Sequence, residues 1–246
     1  MDILPYLSYL LIFIMAFMYS SVGHGGASGY LAILAMLGAS QIVMKRSALL
    51  LNIFVSGIAF IQYYRNGHFK FKLFWPFALG SFPAAFAGAL IPLQDGTYKR
   101  ILGICLIFSV IRLVIGVRQI EDQNECRELK IWAGIVTGII IGMISGMIGI
   151  GGGIILSPVI LLFNWGKMKE TAAVSALFIF LNSVSGLTGV LSSGIKIPDL
   201  AYPLLGAAIL GGLIGSYFGS KRFDFQILKY MLAVVLVIAS LKLIYT

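Results

Sequence analysis

From Ile3 to Leu37 the chain stays apolar for longer than one membrane-crossing helix can use. A continuous helix over that stretch would extend about 52 Å, whereas the hydrocarbon core of a bilayer is only about 30 Å thick. The backbone must break inside it. Gly23-His24-Gly25-Gly26 is the natural place, because glycine tolerates non-helical backbone and weakens a helix interior. The same event recurs at Gly149-Ile150-Gly151-Gly152-Gly153.

Apolar segments run at about 3–22, 25–37, 47–64, 73–93, 101–117, 131–148, 152–163, 171–191, 200–220 and 226–244. With 59% hydrophobic and 11% charged residues, the chain carries more apolar surface than a soluble domain could hide. A membrane β-barrel would alternate polar and apolar residues, but stretches such as Ile101 to Val117 are continuously apolar. The expectation is an all-α, multi-pass integral protein of a bacterial-type plasma membrane, with about eight transmembrane helices plus two short or re-entrant helices at the glycine breaks. The first apolar stretch lacks a basic head region and a small-residue cleavage pattern, so it is expected to stay in place. The net charge of +9 resides in short connections between apolar segments, which points to topology and lipid headgroups rather than nucleic acid. Cys105 in an apolar segment and Cys126 in a polar one suggest free thiols, and neither a metal nor a cofactor is expected.

The second half repeats the first. Gly23-x-Gly-Gly matches Gly149-x-Gly-Gly, Met44-Lys45 matches Met168-Lys169, and Val55-Ser56-Gly57 matches Val184-Ser185-Gly186. Pro76 then falls on Pro203, Gly88 on Gly215, Lys99 on Lys229 and Arg112 on Lys242. This divides the chain into a first repeat over 1–117, a polar linker over 118–130 and a second repeat over 131–246.

Counting lysines and arginines by side tests how each break is used. If each break lies within a single crossing, the basic residues divide evenly between the faces. If each break is a hairpin whose short second arm turns back, only Lys45, Arg46, Lys99, Arg100, Lys196 and Lys242 lie on one face, and all the others gather on the opposite, cytoplasmic one. The hairpin reading gives five elements per half, termini outside and inverted repeats.

Each motif precedes a short apolar helix, and so presents unpaired backbone N–H groups at the positive end of a helix dipole, which attracts anions. The candidate binding residues are Gly23, His24, Gly25, Gly26 and Ser28 at the first break, and Gly149, Gly151, Gly152, Gly153, Ser157 and Pro158 at the second. Tight helix packing is the plainer use of such glycines. Polar residues in the flanking apolar segments, chiefly Asn52, Ser175 and Asn182, add a neutral lining suited to weak anion binding. Arg112 and Lys242 lie near helix ends, where long basic side chains snorkel to the headgroups.

Gly149-Ile150-Gly151-Gly152-Gly153-Ile154-Ile155-Leu156-Ser157-Pro158, its partner Gly23-His24-Gly25-Gly26 and the duplicated layout resemble the TauE/SafE sulfite exporter family over essentially the whole chain. The resemblance implies a secondary transporter of small sulfur-containing or organic anions, in contact with membrane lipid. All nine carboxylates fall in terminal or connecting segments, and His24 is the one intramembrane group able to exchange protons near neutrality. Export down an inside-negative potential needs no coupling ion, whereas uptake would need co-transport with His24 as the candidate. A passive anion channel would share the site. Gly26-Ala27-Ser28-Gly29 also spells the Gly-x-Ser-Gly of rhomboid-like intramembrane proteases, a remote alternative that would require a histidine within reach of Ser28.

Overall fold

A computed structural model describes residues 3–115, 126–192, 198–199 and 201–221, together with 237, 240 and 241. Most of the last apolar segment, Lys242 and most of the linker lie outside the described residues. Among the described residues all regular structure is helical: α1 Ile3–Ser20, α2 Ala27–Met36, α3 Gln41–Arg65, α4 Phe71–Leu90, α5 Asp95–Ile115, α6 Ile131–Ile148, α7 Gly153–Leu162, α8 Met168–Leu191 and α9 Ala201–Lys221. By length and composition α3, α4, α6, α8 and α9 can each cross a membrane. Helices α2 and α7, at 10 residues each, reach about 15 Å, half of a hydrocarbon core.

Helices α3 and α8 lie side by side and run antiparallel. Leu49 packs near Gly186, Asn52 meets Ser183, Gly57 faces Phe180, and Tyr63 clusters with Ala172 and Ala173. Around this pair, α4 packs on α6 and α8, and α9 packs on α1 and α3. Exchanging α1 with α6, α3 with α8 and α4 with α9 maps α4–α6 onto α9–α1 and α4–α8 onto α9–α3, and leaves the α3–α8 pair in place.

Glycines set the two closest pairings. Gly134, Gly138, Gly142 and Gly146 recur every fourth residue along one face of α6, where a Cβ would meet Pro76, Phe77, Ser81 and Ala85 of α4 in turn. Gly211, Gly215 and Gly219 of α9 bear likewise on Phe13, Phe17 and Ser21 at α1. In both pairs the residue numbers rise together, so the helices are parallel. Small residues that let backbones approach are what drives association where lipid is as apolar as leucine.

Each glycine break is a hairpin. The Arg127 N–H donates to Asn164 O at 2.7 Å, and Lys70, ahead of α4, pairs with Glu170 in the first turn of α8 at 2.7 Å. The starts of α4, α6 and α8 and the end of α7 therefore share one end of the bundle, and α7 turns back on α6. In the first half, Tyr63 Oη donates to Ser21 O at 2.8 Å, which places the end of α1 beside the end of α3, so α2 turns back in the same way. The end holding Lys70, Lys130, Lys167 and Lys169 also carries the three tryptophans, Trp75, Trp132 and Trp165. Such a girdle of aromatic and basic side chains marks a membrane–water boundary. Between the ends the outer surface is apolar, with Leu79, Phe82, Ile140 and Leu210 exposed.

Candidate functional site

Each break rests on the central helix of the other half. At Gly23, φ is +74° and a Cβ would stand 2.5 Å from the carbonyl oxygen of Ala172, in the second turn of α8. At Gly149, φ is +83° and a Cβ would stand 2.9 Å from Cγ of Lys45, in the second turn of α3. These two glycines answer to packing and backbone conformation.

The residues that follow meet at the middle of the bundle. A Cβ on Gly25 would touch Asn52 Oδ1 and Ile179, and one on Gly151 would touch Asn52 Nδ2, Ile179 and Ser183. Asn52 and Ile179 are near the midpoints of α3 and α8, so the two breaks converge on one place. From there α2 and α7 depart. Gly26 and Gly152 are their N-caps, both left-handed with φ of 92° and 80°, and neither supplies a side-chain cap. The first-turn N–H groups of both short helices are thus left to the centre of the molecule. Gly153 opens α7 directly beneath Ile179.

The polar side chains around this centre are buried. Asn52 Nδ2 donates to Ile150 O at 3.2 Å and to Ser183 Oγ at 3.4 Å, while its Oδ1 has no hydrogen-bond partner. The asparagine of one half thereby holds the break of the other. His24 is oriented by Nδ1, 2.9 Å from Val22 O, and its Nε2 lies 3.0 Å from Ser157 Oγ. Since a carbonyl only accepts, Nδ1 carries the proton that bonds Val22 O. Ser157 Oγ is also 2.7 Å from Ser175 Oγ and 3.0 Å from Gly153 O. His24, Ser157 and Ser175 form a hydrogen-bonded run joining the two halves.

Other candidates are placed differently. Ser28 Oγ donates to Tyr19 Oη at 2.6 Å, and the serine that pairs with His24 is Ser157, so the hydroxyl expected of a protease motif is directed to a tyrosine. Pro158 lies within α7, which continues to Leu162. Asn182 is 1% exposed with neither amide atom bonded, and its neighbour Ser183 is the residue that joins Asn52. Two residues escaped the sequence reading. Ser145 is 1% exposed, its Oγ has no partner, and its Cβ is 3.4 Å from where a Cβ on Gly152 would stand. Lys45 is buried in α3, although a lysine beside a connection reads as a solvated charge.

Helices of crossing length, apolar outer faces and two breaks turned inward define a multi-pass integral membrane protein, and the comparisons with known proteins make its class a membrane transporter. The family model "Sulfite exporter TauE/SafE" matches residues 8–243, and the chain belongs to that family. It is also 35% identical over 238 residues to "Probable membrane transporter protein y4hK" of Sinorhizobium fredii (strain NBRC 101917 / NGR234), covering 95% of each chain. No solved structure matches.

Proposed function

We propose that this transporter exports small sulfur-containing or organic anions, such as sulfite or sulfonates, binding them where the two glycine breaks meet. The observation that carries the reading is the convergence of Gly25 and Gly151 on Asn52 and Ile179, with the uncapped starts of α2 and α7 directed to that place. Half-helix N-termini at mid-membrane suit an anion, and Ser145 Oγ and the Asn182 amide supply buried donors with no other partner. The antiparallel course of α3 and α8 supports inverted repeats over 1–117 and 131–246, with eight crossings and α2 and α7 as re-entrant arms. The basic end carrying Lys70 and Lys169 is then cytoplasmic. An anion leaving an inside-negative cell gains about 2.3 kcal/mol per charge per 100 mV, so export proceeds without a coupling ion.

Flux of sulfite and of methanesulfonate from proteoliposomes tests this. Ser145→Ala removes a hydroxyl without orphaning any donor, so the protein should stay folded while KM rises roughly two- to tenfold, the worth of one hydrogen bond. Unchanged KM in that variant removes the site, and absence of flux for both anions in the wild type removes the substrate class.

One observation favours a second reading, proton-coupled uptake: the run from His24 through Ser157 to Ser175 could pass a proton between the halves. Imposing the membrane potential and the pH gradient separately distinguishes the two. Export predicts that potential alone accelerates efflux in both wild type and His24→Gln. Uptake predicts accumulation driven by the pH gradient, lost in His24→Gln while downhill exchange continues.

A further inference from the structure

Each half carries the same Met-Lys dipeptide within the first five residues of its third helix, Met44-Lys45 in α3 and Met168-Lys169 in α8, and the lysine of each reaches the last turn of the long helix that follows. Lys169 Nζ donates to Ser220 O and to Lys221 O, both at 3.3 Å, and its side chain is exposed. Lys45 Nζ donates to Ala89 O at 3.2 Å, and the residue is only 8% exposed. An ammonium has three donors and no acceptor, so the buried lysine is the less satisfied of the two. The ion pairs among the described residues, Lys70–Glu170 and Lys99–Asp95, do not include it. An uncompensated buried cation is costly, and inside a membrane protein it marks a functional path.

The surroundings of Lys45 lead to the same centre. Its aliphatic stem lies across Gly149, the first glycine of the second break. Ala89, its acceptor, packs against Gly146, the chain neighbour of Ser145. Ser145 in turn stands beside Gly152, the uncapped start of α7, with its buried hydroxyl unpartnered.

Resting on the anion reading above, we propose that Lys45 is the charged ligand of the transported anion, meeting it between the mid-membrane breaks and the face where α3 begins. The rest of the candidate site is neutral, and a small oxyanion can accept from the spare N–H groups of Lys45 that no protein group uses. Lys169 is the control built into the fold, since it performs the capping role in solvent with two carbonyl acceptors. If Lys45 merely caps α4, removing its charge changes stability and leaves anion affinity alone.

Lys45→Met keeps the stem over Gly149 and removes the charge. In proteoliposomes loaded with methanesulfonate it should raise KM roughly tenfold or more, the loss expected of a charge-assisted hydrogen bond. Lys45→Arg should restore most of the affinity, and Lys169→Met should leave KM unchanged. An unaltered KM in Lys45→Met, with wild-type flux intact, overturns the assignment and spares the anion reading. A measurement on the wild type decides the matter if Lys45→Met does not fold. Methanesulfonate should slow reductive methylation of Lys45 in detergent and leave Lys169 equally reactive, as read by mass spectrometry. Equal reactivity of Lys45 with and without the anion overturns the assignment. Wild type that neither transports methanesulfonate nor shows protection removes the anion reading and this inference together.

Discussion

Asn52 carries two opposed demands at the residue scale: its Nδ2 secures the Ile150 carbonyl of the other half, while its Oδ1 faces Gly25 without a partner. Asn52→Ala leaves that buried carbonyl without a donor, and should cost about 1–3 kcal/mol in a thermal or denaturant unfolding measurement in detergent. Ser183→Ala, which removes only the longer bond, should cost less. Gly152→Val is a poor probe of binding, since a β-branched residue is strained at φ of 80° and its Cβ would crowd Ile141 and Phe178. That variant should fail to accumulate in the membrane. At the basic end of the bundle, burial holds the His68 imidazole below its ordinary 6.5, with Lys169 adding to the effect and Glu170 opposing it. As pH falls through 6.5, the unfolded chain binds this proton first, so stability is lost from there down to the lowered native value. Melting temperature should decline across that window, and His68→Gln should remove part of the slope. The glycines and Asn52 were legible in the sequence because glycine runs and intramembrane asparagine are costly in a helix. Ser145 and Lys45 were not, because a serine on a helix usually bonds its own backbone, and burial of a lysine near a connection depends on which helix end covers it.

The elements divide by what their glycines do. On α6, glycine every fourth residue lets α4 approach until a Cβ at Gly142 would stand 2.5 Å from Ser81 O. Gly142→Leu must push the helices apart, and should lower the melting temperature sharply or abolish accumulation. By contrast, a Cβ on Gly96 in the first turn of α5 meets nothing within 4 Å. Gly96→Ala should be neutral, or stabilise by a few tenths of a kcal/mol up to about 1 kcal/mol. The same contrast explains how far the helices could be anticipated. Ten-residue arms were legible because hydrophobic length is compared with a fixed bilayer. The course of α7 through Pro158 follows from its surroundings, since Pro158 and Ile160 are packed in the interior.

For the whole molecule, the direction of the short arms decides the topology. The native Cys126 thiol and a cysteine introduced at Lys167 should react with an impermeant maleimide from the same, cytoplasmic, side of the membrane. Labelling from opposite sides would return the second break to the interior of a single crossing. The repeat and the bias of basic residues led to the hairpin reading, because charge in short connections responds to the side of the membrane. Which helices pair across the halves was beyond reach, since Gly134 to Gly146 fit any close partner equally well. The cross-half seating of the breaks also has a consequence in time. Gly23 is made early, but the Ala172 backbone against which it lies emerges roughly 150 residues later. Through most of synthesis the first break waits without its seat, and an isolated first half would lack it altogether. Two halves made as separate polypeptides in one cell should find each other and restore flux, while either alone should be degraded.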